Sequence, residues 1–244
     1  MTSNHAAQQP ASPSAVERVY AGLRQAIMGH GLALGIPLPE EQVAARFGVS
    51  RTIVRAALDR LMAEGLVVRT KNKTARIANP SREDAIDVLE VRQHVESIVV
   101  ERLAGRLGAA QIESLRAHLA CERSAHAGGK RDLAVRLSGE FHLLLARTTG
   151  SALLGRYVTE LVSRFSLVLV AHGRPHSQAC AVDEHQGVLD ALIAGDAERA
   201  RALMAQHLGD VGRRALLPSH GLAQSINDVP DALLGLAAAE PVSA

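Results

Sequence analysis

Three histidines in the C-terminal half of the chain could act together on one metal ion. His142, His185 and His207 each share a predicted helical face with apolar residues, so all three are expected to point inward. His185 lies 10 residues before Gly195 and His207 lies 11 residues after Asp196, which places both about 15 Å from the turn of an antiparallel helix pair. One inward histidine is usually an ordinary core residue. Three converging imidazoles are instead typical of a site for zinc, nickel or a similar ion.

A further candidate is Arg92, which falls within an apolar stripe of its predicted helix. The stripe consists of Ala85, Val88, Leu89, Val95 and Val99. A charged side chain on a buried face needs a partner. Either a nearby glutamate neutralises Arg92, or Arg92 faces a cavity that takes an anionic ligand such as a small carboxylate. The inward-facing histidines favour the second alternative.

Basic side chains are concentrated in the N-terminal third of the chain. Residues 14–78 contain ten Lys/Arg against five Asp/Glu, whereas the remaining residues have 17 against 20. On a predicted helix over 51–64, Arg51 and Arg55 project away from the apolar face and, as i,i+4 neighbours, can reach the same DNA groove. A guanidinium matches the O6/N7 edge of guanine, so these two arginines are the predicted base-reading residues. The alternative is a solvated basic helix. Phosphate contacts are expected from Thr52, Lys71, Lys73 and Arg76.

The segments that carry these basic residues predict a winged helix-turn-helix domain over 14–78. Ser50 is a good N-cap for the third predicted helix. Two strand-like segments flank a basic tip and predict a β-hairpin, the wing. In this layout the third helix enters the major groove and the wing touches the DNA backbone. The predicted helices are 14–28, 40–46 and 51–64, and the predicted strands are 66–69 and 75–78.

The rest of the chain predicts an all-helical bundle, so the expected fold class is mainly α. A linker is expected at 79–82, followed by a helical domain over 83–217. Residues 1–13 are predicted to form a disordered arm and 218–244 a loosely ordered tail. The candidate helices are 82–107, 110–127, 132–148, 152–172, 182–194 and 197–216.

Composition excludes several classes of protein. The chain has 244 residues, of which 47% are hydrophobic and 21% charged, as in ordinary globular proteins. It has no apolar run of about 18 residues and no signal-peptide pattern, so no membrane partner is expected. Two cysteines favour a reducing compartment, and we expect a cytoplasmic protein. With 2% aromatic residues and no Trp, a stacking platform for single-stranded nucleic acid is excluded.

Residues 35–67 resemble the winged helix-turn-helix of the GntR superfamily of bacterial transcriptional regulators. The matching segment reads GIPLPEEQVAARFGVSRTIVRAALDRLMAEGLV. It departs from the usual pattern at Ile53, where the family commonly has Pro, and at Ala56, where it often has Glu. The resemblance implies a homodimer on a palindromic double-stranded DNA operator, with Arg51 and Arg55 at the family's base-contact positions.

Residues 81–216 resemble the FCD effector domain of one GntR branch. Many members hold a divalent metal through one Asp and three His, and the resemblance implies that His142, His185 and His207 are the histidines. The Asp position is occupied by Ser138, which is a poor ligand. Arg92 matches a position that helps to hold a carboxylate effector. The motifs that carry the resemblance are Glu90-Val91-Arg92, Glu140-Phe141-His142, Asp183-Glu184-His185 and Met204-Ala205-Gln206-His207-Leu208.

Taken together, these features predict a ligand-responsive transcription regulator whose DNA affinity changes when a small carboxylate binds. We expect a repressor, because repression is the commoner mode of action in the family. A second reading keeps the DNA-binding domain but has a metal-free effector pocket, because Ser138 replaces a ligand. A third reading is a metal-dependent hydrolase with Glu140 or Glu184 as the general base. The sequence lacks a His-Glu-x-x-His helix, a nucleophile elbow and a Gly-rich phosphate loop, and an enzyme would not need the N-terminal domain. We therefore expect no enzymatic activity.

Overall fold

The computed structural model describes residues 13–28, 32–71, 73–172 and 181–216. These residues form nine helices and one two-stranded sheet, which confirms the predicted fold class. The predicted arm, apart from Pro13, and the predicted tail over 218–244 lie outside the described residues. None of the helices within the described ranges is both long and apolar enough to cross a membrane.

The N-terminal domain consists of three helices and a hairpin. Its elements are α1 (Ala15–Met28), α2 (Glu40–Phe47), α3 (Arg51–Ala63), β1 (Val67–Val68) and β2 (Arg76–Ile77). Gly48 ends α2 in the left-handed conformation with φ of +63°, and Ser50 caps α3 by accepting a hydrogen bond from the Ile53 N–H. The antiparallel strands are two residues long, shorter than the predicted 66–69 and 75–78. The predicted order of helices and hairpin is present.

Six helices form the C-terminal domain. They are α4 (Arg82–Leu103), α5 (Ala109–Ala127), α6 (Arg131–Thr148), α7 (Ala152–His172), α8 (Ala181–Ala194) and α9 (Ala197–Leu216). A capping box opens α4, because the Ser81 hydroxyl accepts from the Asp84 N–H and the Asp84 carboxylate accepts from the Ser81 N–H. α4 packs against α6, α7 and α9, while α8 pairs with α9. The enclosed core includes Phe141, Leu145, Val158, Leu189, Leu192, Met204 and Leu208.

α4 ends earlier than the sequence predicts. The apolar pattern favours a helix over 82–107, but the helix stops at Leu103. Gly105 then takes a φ of +68° and donates its N–H to the Leu192 carbonyl at 2.9 Å. A Cβ on Gly105 would lie 3.3 Å from the Cα of Gly195. The close approach of two turns therefore ends the helix, and this tertiary constraint leaves no trace in helical periodicity.

The two domains touch through α7. Leu167 of α7 is buried within the N-terminal core. Ser163, also on α7 and fully buried, donates its hydroxyl to the Glu64 carboxylate at 3.2 Å. The same carboxylate accepts hydrogen bonds from the Tyr20 hydroxyl and from Arg24 Nε. Because Glu64 is the C-cap of α3, these contacts join α7 directly to the end of that helix.

Candidate functional site

The three predicted metal-binding histidines come together in the middle of the C-terminal domain. His142 lies on α6, His185 on α8 and His207 on α9, and each is at most 2% exposed. The Nε2 atoms of His185 and His207 are 3.2 Å apart, and the ring centroids of the three pairs are 4.5, 5.1 and 5.2 Å apart. One nitrogen of each ring lies within 4.8 Å of the others. The predicted convergence of three imidazoles is therefore present.

Each of these imidazoles is also held by a glutamate through its Nδ1 atom. A histidine whose Nδ1–H donates to a carboxylate has its tautomer fixed, so that Nε2 carries the lone pair that can bind a metal. The sequence reasoning did not assign this role to any of the three glutamates. The pairs are Glu96 with His142 at 2.5 Å, Glu122 with His185 at 3.0 Å and Glu184 with His207 at 2.6 Å.

Burial and neighbouring charges together set the ionisation of His142, His185, Glu96 and Glu122. Burial lowers the pKa values of His142 and His185 well below 6.5, so both rings are neutral at neutral pH. Burial alone would raise the pKa of Glu96, but Arg92 and His142 outweigh it and lower that pKa to about 2. Burial also raises the pKa of Glu122 to about 7, against the opposing effect of nearby histidines.

The donor set fits a divalent transition metal. Three imidazoles that converge on one point are the usual protein ligands of an open zinc site, and carboxylates behind them are the usual supporting shell. The Ser138 hydroxyl hydrogen-bonds to the Glu122 carboxylate, which in turn holds His185. Ser138 therefore lies behind His185, and within the described residues the nitrogen atoms that could hold an ion are those of the three histidines.

Arg92 lies beside the histidine cluster, and its charge is neutralised. The side chain is 4% exposed, and its Nε donates to Glu96 Oε1 at 2.5 Å. Its guanidinium lies 5.3 Å from the ring centroid of Phe165 on α7. Of the two alternatives left open by the sequence, a nearby glutamate does satisfy Arg92. The buried charge of Arg92 is met by Glu96, which follows one helical turn later on the same buried face.

The predicted DNA-reading arginines lie together on the exposed side of α3. The side chains of Arg51 and Arg55 are 65% and 56% exposed, and Thr52 between them is also exposed. The opposite face of α3 packs into the N-terminal core. Its buried residues are Val54, Ala57, Leu58 and Leu61.

These two arginines are not free, because Glu40 from the first turn of α2 contacts both of them. Arg55 donates from Nε and Nη2 to the two oxygens of Glu40, at 3.1 and 2.8 Å. Arg51 Nη2 lies 3.9 Å from the same carboxylate. Sequence reasoning missed Glu40, which lies 15 residues before Arg55 and across the turn between α2 and α3.

The predicted phosphate-binding residues of the wing are exposed. Lys71 and Lys73 lie at the tip of the hairpin, and Arg76 lies on β2. Arg76 donates to the Gly35 carbonyl at 3.0 Å, so part of its guanidinium fastens the hairpin to the loop before α2. The two lysines are therefore the exposed cations at the tip of the wing, whereas Arg76 is tied to the domain.

Comparison with known families identifies both domains. Residues 15–77 match the family of bacterial regulatory proteins called the gntR family, and residues 87–210 match the FCD domain. The chain belongs to the GntR family. The resemblance stated from the sequence is thereby confirmed for both parts of the chain.

Curated relatives of this GntR-family protein are regulators of transcription. It is 27% identical to the transcriptional repressor RspR of Escherichia coli K12, over 80% of this chain and 86% of the relative. It is 30% identical to a Uxu operon regulator of Haemophilus influenzae, over 80% of this chain and 81% of the relative. It is also 30% identical to an HTH-type regulator from an unstable DNA locus of Streptomyces ambofaciens, over 78% of this chain and 80% of the relative. Both domains and these relatives indicate a DNA-binding transcription regulator and not an enzyme, so the hydrolase reading is wrong.

Solved structures share the same fold. A GntR transcriptional regulator from Rhodococcus sp. RHA1 superposes with a TM-score of 0.71 at 24% identity, over 82% of this chain and 97% of that chain. McbR/YncC of E. coli superposes with a TM-score of 0.70 at 19% identity, over 81% of this chain and 95% of that chain. The arrangement of a winged helix-turn-helix before a helical domain is thus shared by both.

Proposed function

We propose that this GntR-family regulator is a repressor that binds a two-fold symmetric operator as a homodimer and responds to a small carboxylate in its FCD domain. The observation that carries the DNA-binding part is the exposed face of α3, where Arg51 and Arg55 are side by side above a buried apolar face. An exposed helix of this kind fits the major groove, and paired guanidinium groups suit guanine. Phosphate contacts come from Thr52, Lys71, Lys73 and Arg76.

A homodimer is supported by exposed apolar side chains on two neighbouring helices. Val91 and Ile98 on α4 are 50% and 43% exposed, and Leu153 and Tyr157 on α7 are 56% and 45% exposed. α4 and α7 pack against each other, so the four exposed side chains lie on neighbouring helices. Apolar surface of this kind is typical of an interface between subunits, and a two-fold dimer would match a palindromic operator.

The ligand-responsive part of the proposal places a divalent metal, zinc or nickel, on His142, His185 and His207. When bound, the ion would act as a Lewis acid with an open position for one oxygen of a carboxylate. Arg92 adds the second contact. Glu96 accepts the Nε–H of Arg92. Within the described residues no hydrogen bond from the terminal NH groups of Arg92 is found, so these groups remain for the carboxylate of the ligand. The metal-free pocket is the alternative, and the three Nδ1–carboxylate pairs favour the metal.

Metal analysis by emission spectroscopy tests the metal assignment. Protein purified without a His tag and incubated with zinc or nickel is expected to hold about one ion per chain, and His185→Ala is expected to hold none. His126→Ala is the matched control, because His126 is exposed on α5 and lies outside the cluster. Protein that stays metal-free at neutral pH, where His142 and His185 are neutral, would support the metal-free pocket instead.

Selection of binding sites from a randomised duplex library tests the DNA assignment, because it requires no knowledge of the operator. The wild-type protein is expected to enrich a palindrome with a guanine in each half-site, and Arg55→Ala is expected to lose that preference. If the variant with both Arg51 and Arg55 replaced by Ala enriches the same sequence as the wild type, α3 does not read the bases.

A further inference from the structure

One carboxylate on the proposed DNA-binding surface contacts three arginines. Glu40 lies in the first turn of α2, and its side chain is 18% exposed. It accepts two hydrogen bonds from Arg55 and lies 3.9 Å from Arg51 and 3.5 Å from Arg69, which follows β1. An acidic group beside the DNA backbone opposes binding, since it repels the phosphates. Its presence at the centre of the basic face therefore needs a physical reason.

The hydrogen bonds of Arg55 supply that reason. A guanidinium has five N–H donors in a planar fork. Glu40 occupies the edge formed by Nε and Nη2, at 3.1 and 2.8 Å. The end of the fork, with one N–H on each terminal nitrogen, stays free to bond O6 and N7 of a guanine. A bidentate carboxylate on one edge also fixes the plane of the guanidinium, so that less side-chain freedom is lost when the base is bound.

We propose that Glu40 is a specificity-determining residue, which orients Arg55 for end-on contact with one base while lowering the affinity for all duplexes. The proposal rests on the proposed function, because it requires Arg55 to read a base. Arg69 completes the arrangement, since it also pairs with Asp59 of α3 at 3.1 Å and so holds the Glu40 carboxylate between β1 and α3.

The alternative is that Glu40 only adds negative charge to the DNA-binding face. Two variants separate charge from geometry. Glu40→Gln removes the charge, whereas Glu40→Asp keeps the charge but withdraws the carboxylate by one methylene from Arg55. Glu41→Gln is the matched control, because Glu41 lies in the same turn of α2, is exposed and has no charged partner within the described residues.

The experiment is the library selection described above, with competition binding by fluorescence anisotropy on the selected duplex and on a duplex altered at the guanine. The wild type and Glu41→Gln are expected to discriminate between these duplexes equally. Glu40→Gln is expected to bind both duplexes more tightly and to lose about fivefold or more in discrimination at that base pair. Glu40→Asp is expected to lose discrimination without the gain in affinity, which a change of charge alone does not produce.

Two results would overturn the proposal, and they point to different causes. If Glu40→Gln and Glu40→Asp keep the wild-type discrimination, Glu40 acts only through its charge, and the assignment of Arg55 stands. If Arg55→Ala selects the same sequence as the wild type, the base-reading assignment itself fails and the role of Glu40 fails with it. Thermal unfolding of each variant verifies that the N-terminal domain is folded before the binding data are compared.

Discussion

Replacing Arg92 by Ala is expected to destabilise the protein strongly in the absence of metal. The substitution removes a guanidinium that is 4% exposed and leaves the Glu96 carboxylate, 2% exposed, with only the neutral ring of His142. Removing one partner of a buried ion pair costs about 3–5 kcal/mol, because the other charge stays in a poorly solvated site. The pKa of Glu96 gives a similar figure. A carboxyl whose pKa falls from 4.5 to about 2 on folding contributes about 3 kcal/mol at neutral pH.

Thermal unfolding in the presence of a chelator, followed by circular dichroism, measures the effect. For a chain of this length about 1 kcal/mol corresponds to about 2–4 °C, so the expected decrease in Tm is about 6–20 °C. Arg102→Ala is the matched control, since Arg102 lies on the same helix, α4, and is exposed. Its effect is expected to stay within about 0.5 kcal/mol.

The sign of the pH dependence provides a second check on the same residue. Because the pKa of Glu96 is lowered in the folded state, its stabilising contribution is present above pH 4.5 and is lost as the pH falls towards 2. The difference in stability between the wild type and Arg92→Ala should therefore shrink on acidification. If Arg92→Ala unfolds within about 2 °C of Arg102→Ala at pH 7, the Arg92–Glu96 pair does not hold the FCD domain together and the reasoning fails.

Three further predictions concern the metal, the domain contact and the wing. Because burial keeps His142 and His185 neutral, the affinity for zinc, measured with a chelator competitor, should fall less than tenfold from pH 8 to 6. A site of three histidines of pKa 6.5 would lose roughly 60-fold in zinc affinity over the same range. A loss of that size would contradict the assignment. Ser163→Ala removes one of the hydrogen bonds to Glu64 and should cost about 1 kcal/mol in urea unfolding, so an unchanged midpoint would show that the contact is replaced by water. Lys73→Ala should weaken binding to all duplexes equally and reduce the salt slope by about 1, and a change in sequence preference would refute its role as a phosphate contact.

The helices could be predicted from the sequence because their apolar residues follow a simple period and their ends carry caps. α3 begins at the predicted residue since Ser50 is both the predicted and the observed cap. α4 fails this test at its end, where the contact between Gly105 and Gly195 stops the helix. The glycine that follows the C-cap Ala104 is a local stop signal, but the apolar period continues past it, so periodicity alone extends α4 too far.

The histidines of the candidate site were also predictable, but most of their supporting residues were not. Each histidine lies on an apolar helical face, which a helical projection reveals. Glu122 and His185 are 63 residues apart and lie on α5 and α8, so only the packing of the bundle brings them together. Glu96 is different, because it follows Arg92 by one helical turn, and the i,i+4 rule could have paired them from the sequence.

A ligand in the FCD domain can change DNA affinity only if it favours one arrangement of the two domains over another. α7 contacts both the region of the proposed ligand site and the end of α3. Its Phe165 lies under the guanidinium of Arg92, beside the histidine cluster, and its Ser163 bonds Glu64 at the end of α3. Two residues of one helix, less than a turn apart, therefore contact the proposed ligand site and the proposed recognition helix. If a carboxylate bound at the proposed site moves Arg92, the packing against Phe165 changes, and α7 is the element that connects this packing to the end of α3.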